Sequence, residues 1–289
     1  MKGIILSGGL GTRLYPATYV ISKQLLPVFN KPIIYYSLST LMLANIREVL
    51  LITTVDDVKN YKKLFGDGSR LGIKISYATQ KKPRGLVDAF NIGSKFIGKD
   101  DVCLILGDNI FYGDGFSTLL EESKKIVKNK KNAVIFTFPV KNPSDYGIAH
   151  LKKNKIMSLV EKPKNSKSNN AVVGLYFYPN SVVKLSKKIK FSKRNELEIT
   201  DLNNVYLNLK KLEAIKMGRG YAWFDAGSND SLHEVSQLIK SIESRMGYKI
   251  GCIEEIALNK NWISKDKIKK ISNQFSNSDY GKYLASLIK

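Results

Sequence analysis

Short apolar runs alternate along this chain with longer stretches in which apolar residues recur every three or four positions. Gly3 to Ser7, Glu48 to Thr53, Lys74 to Ala78, Val102 to Leu106 and Ala133 to Pro139 have strand length and are rich in β-branched residues and Leu. Helices are expected near Pro32 to Ala44, Asp56 to Leu64 and Leu86 to Phe96. Strands that are apolar along their whole length need cover on both faces, and helices alternating with them supply it. The pattern therefore predicts an α/β fold with a Rossmann-like, mostly parallel central sheet flanked by helices.

The pattern changes in the second half. Ile156 to Glu161, Ala171 to Tyr178, Leu212 to Lys216 and Tyr221 to Phe224 read as further strands, interrupted by polar loops at Asn142 to Tyr146 and Lys164 to Asn170. They predict a β extension built onto the same sheet. From Ser231 the chain reads as mostly helical, with Leu232, Val235, Leu238, Ile239 and Ile242 at helical spacing, a stripe whose simplest use is core packing.

At 289 residues the chain can bury a substantial core, and 43% hydrophobic residues put it among ordinary globular proteins rather than disordered ones. No leader pattern is expected, and no apolar run approaches the ~20 residues that cross a bilayer. A cytoplasmic protein without a membrane partner is expected. Cys103 lies inside an apolar run and Cys252 stands alone, so buried structural thiols are expected rather than a metal or disulfide framework.

The formal charge of +22 raises the question of nucleic acid, because basic surfaces bind phosphate backbones by releasing counterions. The excess is mostly Lys in scattered runs, such as Lys128 to Lys131, Lys152 to Lys155 and Lys187 to Lys190, which read as solvated helix faces and turns. Clustered Arg with interleaved aromatics, the commoner mark of specific readers, is missing. No nucleic-acid partner is expected, but the charge should draw in small anions.

Candidate chemistry begins where the first strand ends. Gly8, Gly9 and Gly11 follow it, then Thr12 and Arg13, with Lys23 and Gln24 about ten residues on. Glycines remove side chains that would hold the backbone away from a ligand, so main-chain N–H groups can cradle phosphate oxygens. Arg13 suits planar bidentate contact and Lys23 acts as a point charge, a pair able to hold neighbouring phosphates. The spacing fits neither GxGxxG nor GxxxxGK[ST]. Two carboxylates follow strand ends: Asp108 closes the run Val102 to Leu106, and Asp225 follows Tyr221 to Phe224. Open α/β sheets bind ligands at such ends. With no His or Cys cluster nearby, this pair suits a hard, oxygen-ligated ion such as Mg²⁺, although an Asp after a strand is also a common turn or cap.

The pattern Gly-Gly-x-Gly-Thr-Arg-Leu with Lys-Gln-Leu-Leu-Pro downstream resembles the sugar-nucleotide pyrophosphorylases, in particular those that transfer a thymidylyl group to glucose 1-phosphate. Further matches are Leu106-Gly107-Asp108-Asn109, Glu161-Lys162-Pro163, Gly174-Leu175-Tyr176-Phe177-Tyr178, Glu196-Leu197-Glu198-Ile199-Thr200-Asp201 and Met217-Gly218-Arg219-Gly220-Tyr221-Ala222-Trp223, in family order along essentially the whole chain. The resemblance implies the nucleotide-diphospho-sugar transferase type of fold. It places a nucleotidyltransferase core at residues 1–226, with a nucleotide part (1–110) and a sugar part (111–226), and an oligomer-forming helical segment at 227–289.

The implied reaction joins dTTP and glucose 1-phosphate into dTDP-glucose and pyrophosphate, in line at the α-phosphorus, at the head of deoxysugar synthesis. Arg13, Lys162 and Mg²⁺ on Asp108 and Asp225 would stand at the reacting centre, and Lys23 would hold pyrophosphate. Gly8, Gly9, Gly11, Thr12, Gln24, Gln80, Gly85 and Leu86 would complete the nucleotide site, with Gln80 on the imide edge of thymine. Asn109, Tyr146, Gly147, Glu161, Val173 and Tyr176 would surround the hexose, and Arg194 its phosphate. The resemblance also implies a homotetramer and feedback inhibition by dTDP-rhamnose at Arg219, Arg245, Lys249, Glu255 and Ile256.

The chain departs from the family pattern at Ser7, Arg84 and Asp88, where Ala, an acidic or small residue, and a Gln-type residue are usual. Asn259 replaces a basic residue, so weakened feedback is expected. Two alternatives stand beside the thymidylyl reading: uridylyl transfer by the same chemistry, and a nucleic-acid-binding protein without catalysis.

Overall fold

The computed structural model describes residues 1–9, 11–153 and 155–289. Its strands are β1 (Lys2–Ser7), β2 (Pro27–Val28), β3 (Lys31–Pro32), β4 (Glu48–Thr53), β5 (Lys74–Thr79), β6 (Val102–Leu106), β7 (Asn109–Gly113), β8 (Ala133–Pro139), β9 (Gly147–Lys152), β10 (Lys155–Glu161), β11 (Asn170–Tyr178), β12 (Leu212–Lys216) and β13 (Tyr221–Asp225). The main sheet runs β10-β9-β11-β6-β1-β4-β5, with β8 along the other edge of β11 and β12 beyond β8. Around β1 the ladders are parallel, β1 with β4 and β6 and β4 with β5. Past β6 the sheet turns antiparallel, β11 pairing β6, β8 and β9, and β12 returns to a parallel ladder, against β8.

Successive residues of a strand point to opposite faces, and the core divides on that rule. Ile5, Val49, Leu51, Cys103 and Ile105 pack on one face beneath Leu38, Leu41 and Met42 of the helix Ile34–Leu43. Ile4, Leu6, Leu50, Ile52 and Leu104 pack on the other, against Phe90 and Ile97. The expected helix over Leu86 to Phe96 is two short ones, Asp88–Ile92 and Ser94–Ile97, divided at Gly93. There a side chain would press to 2.9 Å from both Ala89 O and Ile4 Cδ1. Both cysteines are free and buried.

The C-terminal helices complete this core. Cys252, Ile253, Ala257, Ile268 and Leu284 belong to the same buried cluster as Ile5 and Leu41. Val235 and Ile239 of the helix Asn229–Met246 pack with Val28, Ile33, Tyr36 and Ile110, the use expected for that apolar stripe. A buried ion pair fixes the helix to the β2–β3 hairpin: Lys31 Nζ donates to Glu243 Oε1 at 3.0 Å, and Lys249 Nζ and the Ile250 N–H donate to the same carboxylate at 3.0 and 2.9 Å.

One irregularity opens the molecule. Along a single edge of β11, Leu175 to Tyr178 pair with β6, whereas Ala171 pairs with β9. Where β6 stops and β9 has not yet begun, the sheet parts, and Gly174 sits at the junction, where a Cβ would lie 2.6 Å from Asn109 Oδ1 and 2.7 Å from Leu106 Cγ.

Candidate active site

Asp108 projects at that gap, just past the end of β6. The chain continues as β7, which pairs antiparallel with β13 so that Asp225 lies opposite Asn109. The Ala226 N–H donates to Asp108 O at 3.1 Å, which ties the two carboxylate-bearing turns together. Asn109 braces the junction: its Nδ2 donates to Asp108 Oδ1 at 2.9 Å, and its Oδ1 accepts from Gly174 N at 3.0 Å and Trp223 Nε1 at 2.7 Å. The resemblance makes Asn109 a sugar contact; its amide is largely committed to holding Asp108 and the cleft floor.

Cations face these acids. Lys23, in the short helical turn Lys23–Leu25, donates directly to Asp108 Oδ2, so its ammonium stands at the carboxylate pair rather than out along the cleft. The Arg13 side chain lies by Asp225, since a Cβ on Gly227 would be 3.2 Å from Arg13 Nη2 and 3.1 Å from Asp225 Oδ1. Lys162 lines the same wall with φ of +41°, a left-handed conformation held in place by its N–H donating to Tyr146 O at 3.0 Å.

Burial, reinforced by the charge of Asp108, pushes the Asp225 carboxyl up to about 6, against the pull of Lys23, Arg13 and Lys162. Burial also acts to raise Asp108, but the charge and hydrogen bond of Lys23 overcome it and hold Asp108 below its ordinary value. Lys23 in turn is raised: burial opposes its charge, and Asp108 and Asp225 outweigh it. Two half-buried carboxylates that repel each other and attract every nearby cation form a donor set suited to a hard divalent ion.

The expected nucleotide side opens next to the glycine loop. Gly8, Gly9, Gln24, Gln80, Pro83, Gly85, Leu86 and Asp108 line a pocket of about 170 Å³. A second pocket of about 290 Å³ adjoins it, bounded by Tyr15, Tyr19, Ser22, Asp57, Lys81 and Lys82. Gly85 adopts φ of +97°, with its Cα against the backbone of Leu197. Leu197 N donates to Arg84 O at 2.8 Å and Val87 N to Leu197 O at 3.3 Å, so the Gly85 loop is stitched to the segment that carries Glu196 and Glu198. Gly11 and Thr12 line neither pocket: Gly11 shapes the loop in a left-handed conformation, and its carbonyl accepts from Thr18 Oγ1 at 2.8 Å.

The expected sugar end is a cleft of about 400 Å³. Tyr146, Gly147, Glu161, Tyr176 and Arg194 line it as expected, with Glu196, Glu198, Thr200 and Trp223 added. Val173 corrects the sequence reading. Its side chain points to the opposite face of β11, into the core with Leu175 and Phe177, and Val172 and Gly174 face the cleft instead. Arg194 is hemmed by acids, with Nη2 3.0 Å from Glu196, Nη1 3.3 Å from Glu161 and Nε 3.7 Å from Glu198. A phosphate placed at Arg194 would have to compete with these carboxylates. Glu161 is also fixed by a hydrogen bond from Thr200 Oγ1.

Residues 2–242 match the model of a known family, the nucleotidyl transferases. The chain belongs to that family. It is 48% identical over 290 residues to the glucose-1-phosphate thymidylyltransferase of Neisseria meningitidis, covering all of both chains. It is 47% identical over 289 residues to the enzyme of that name from Mycobacterium tuberculosis, covering all of this chain and 99% of the relative. Among solved structures, a putative glucose-1-phosphate thymidylyltransferase from Bacillus anthracis superposes with a TM-score of 0.76 at 37% identity, covering 82% of this chain and 94% of that one. A UDP-glucose pyrophosphorylase superposes at 0.72 with 24% identity, a likeness of fold.

A separate cleft of about 400 Å³ lies between β7 and the C-terminal helices. Lys249, Glu255 and Ile256 line it, with Tyr112, Met246 and Tyr248. Arg219 and Arg245, grouped with them on sequence, are exposed and lie outside its lining.

Proposed function

We propose that this nucleotidyl transferase joins dTTP and glucose 1-phosphate into dTDP-glucose and pyrophosphate. The observation that carries the chemistry is the convergence of Asp108, Asp225, Arg13, Lys23 and Lys162 on one cleft with a nucleotide-side pocket at one end and a carboxylate-rich pocket at the other. The choice of thymidylyl and glucose is supported by the full-length likeness to enzymes of that name.

The phosphate of glucose 1-phosphate is largely dianionic at neutral pH, its second pKa being about 6, so it needs no general base to become a nucleophile. What the protein supplies is alignment of two anions that repel each other and neutralisation of the charge that builds between them. Arg13 and Lys162 flank the point where the α-phosphate would be attacked. Lys23, held at the Asp108 carboxylate, would neutralise the departing pyrophosphate side, and the N–H groups around Gly8 and Gly9 would hold the remaining phosphates. Glu161, oriented by Thr200, would accept hydrogen bonds from sugar hydroxyls, and Arg194 would exchange a carboxylate for the sugar phosphate. Asp108 and Asp225 would hold Mg²⁺, which supplies charge neutralisation at the phosphates when bound.

Pyrophosphate release with glucose 1-phosphate and Mg²⁺, with dTTP, UTP, ATP, CTP and GTP supplied separately, tests this reading. Fastest release with dTTP, and a loss of about a hundredfold or more in Asp108→Asn, is expected. Fastest release with UTP would move the protein to uridylyl transfer, and none with any nucleotide would overturn the assignment. The cleft between β7 and the C-terminal helices supports a regulatory reading in which Lys249, Glu255 and Ile256 meet a product-related nucleotide such as dTDP-rhamnose. Titration of turnover with that compound tests it, and light scattering tests a homotetramer.

A further inference from the structure

Gln80 is fixed before any ligand arrives. It is only 8% exposed, and its Nε2 donates at 3.1 Å to Oδ2 of Asp88, which is 7% exposed and opens the helix Asp88–Ile92. An ionised carboxylate can only accept, whereas an amide has one donating and one accepting end. Facing Asp88, Gln80 must offer its NH₂. Its Oε1 is then left towards Gly8, where a Cβ would stand 3.1 Å from it, inside the small pocket that Gly8 and Gln80 share with Gly85 and Leu86. Asp88 itself lines none of the pockets around this site.

We propose that Asp88 is a specificity-determining positioning residue: by holding the Gln80 amide in one sense, it selects pyrimidine nucleotides with an imide N–H, thymine or uracil, against cytosine. The inference rests on the reading that this pocket receives the base of the nucleoside triphosphate. N3 of thymine or uracil carries a hydrogen that suits Oε1, and the neighbouring ring carbonyl suits the second hydrogen on Nε2. Cytosine presents the reverse, a lone pair at N3 beside an amino group. Gln80 could read it only by turning over, which would set Oε1 against the Asp88 carboxylate, two acceptors facing each other with little water to separate them.

The test measures kcat and KM with dTTP and with dCTP for the natural protein, Asp88→Asn and Asp88→Glu, with melting temperatures alongside. The amide introduced by Asp88→Asn can donate as well as accept, so it permits either sense of Gln80. The ratio of kcat/KM for dTTP over dCTP is expected to fall about tenfold or more in Asp88→Asn, chiefly through KM, with kcat on dTTP little changed. Asp88→Glu, which keeps an acceptor-only group, should retain most of the ratio. An unchanged ratio in folded Asp88→Asn overturns the proposal, as does an equal loss with both nucleotides. Should Asp88→Asn fail to fold, Asp88→Ser, whose hydroxyl also donates or accepts, carries the same measurement. If the natural protein turns over neither dTTP nor UTP, the functional reading fails separately, and equilibrium binding of dTTP against dCTP still decides the role of Asp88.

Discussion

Asp225 carries a cost that its position explains. Its carboxyl titrates near 6 in the folded protein against 3.8 ordinarily, because burial and Asp108 both disfavour its charge. The sign follows from linkage: a group bound more tightly to its proton when folded adds stability below its unfolded pKa, and that stability is lost as pH rises through the folded value. With divalent ions chelated, Asp225→Asn should therefore melt above the natural protein around neutral pH. The gain is on the order of 2 kcal/mol, or a few degrees, and should close as pH falls towards about 4. Adding Mg²⁺ should raise the natural protein and leave the variant behind. Scanning calorimetry across pH reads both effects. A variant that melts lower than the natural protein at every pH would mean that this carboxylate is stabilised by its cations rather than strained by Asp108.

The elements differ in how openly the sequence declares them. The strands around β1 are apolar throughout because both faces are covered, so Val102 to Leu106 and Glu48 to Thr53 are readable directly. β7 is short and, among the described residues, pairs with β13, a contact more than a hundred residues away in sequence that no local pattern announces. The Asp108–Asp225 meeting depends on that pairing, so the resemblance could suggest it but periodicity could not. Val173 carries a signal that the strand pattern does hold: once Tyr176 faces the cleft, the period of two along β11 assigns Val172 and Gly174 to the same side and Val173 to the core. Asp88 has no such signal, since a buried acid with one amide partner looks in sequence like any helix-opening Asp. The loop at Gly85 packs against the segment that carries Glu196 and Glu198, and so joins the two ends proposed for the substrates. A Cβ there would stand 2.5 Å from both the N and O of Leu197, which cannot be relieved by a side-chain rotation. Gly85→Ala should lower stability by about 1–3 kcal/mol and raise KM for dTTP and for glucose 1-phosphate together, because Leu197 lies between Glu196 and Glu198. A rise in KM for dTTP alone would show that the two segments move independently.

Over the whole molecule, a charge of +22 acts on substrates that are both polyanions. Exposed lysines at the pocket mouth, Lys81 and Lys82, and close in sequence to the cleft residues Lys162 and Arg194, Lys164 and Lys193, would place part of that charge where substrates are proposed to enter. Attraction of this kind speeds encounter and is screened over about 10 Å at moderate salt, whereas contacts made inside the cleft are screened much less. Raising KCl should therefore lower kcat/KM for dTTP several-fold while leaving kcat nearly constant. The double variant Lys81→Gln, Lys82→Gln separates local from global charge. If the mouth does the steering, the variant loses much of the salt dependence although the net charge falls only from +22 to about +20. If the dependence survives intact, the field of the whole surface is responsible and the position of these two lysines is incidental. A kcat/KM that ignores salt in the natural protein would instead detach the lysine excess from catalysis, and duplex DNA titrated under the same conditions would then show whether another polyanion uses it.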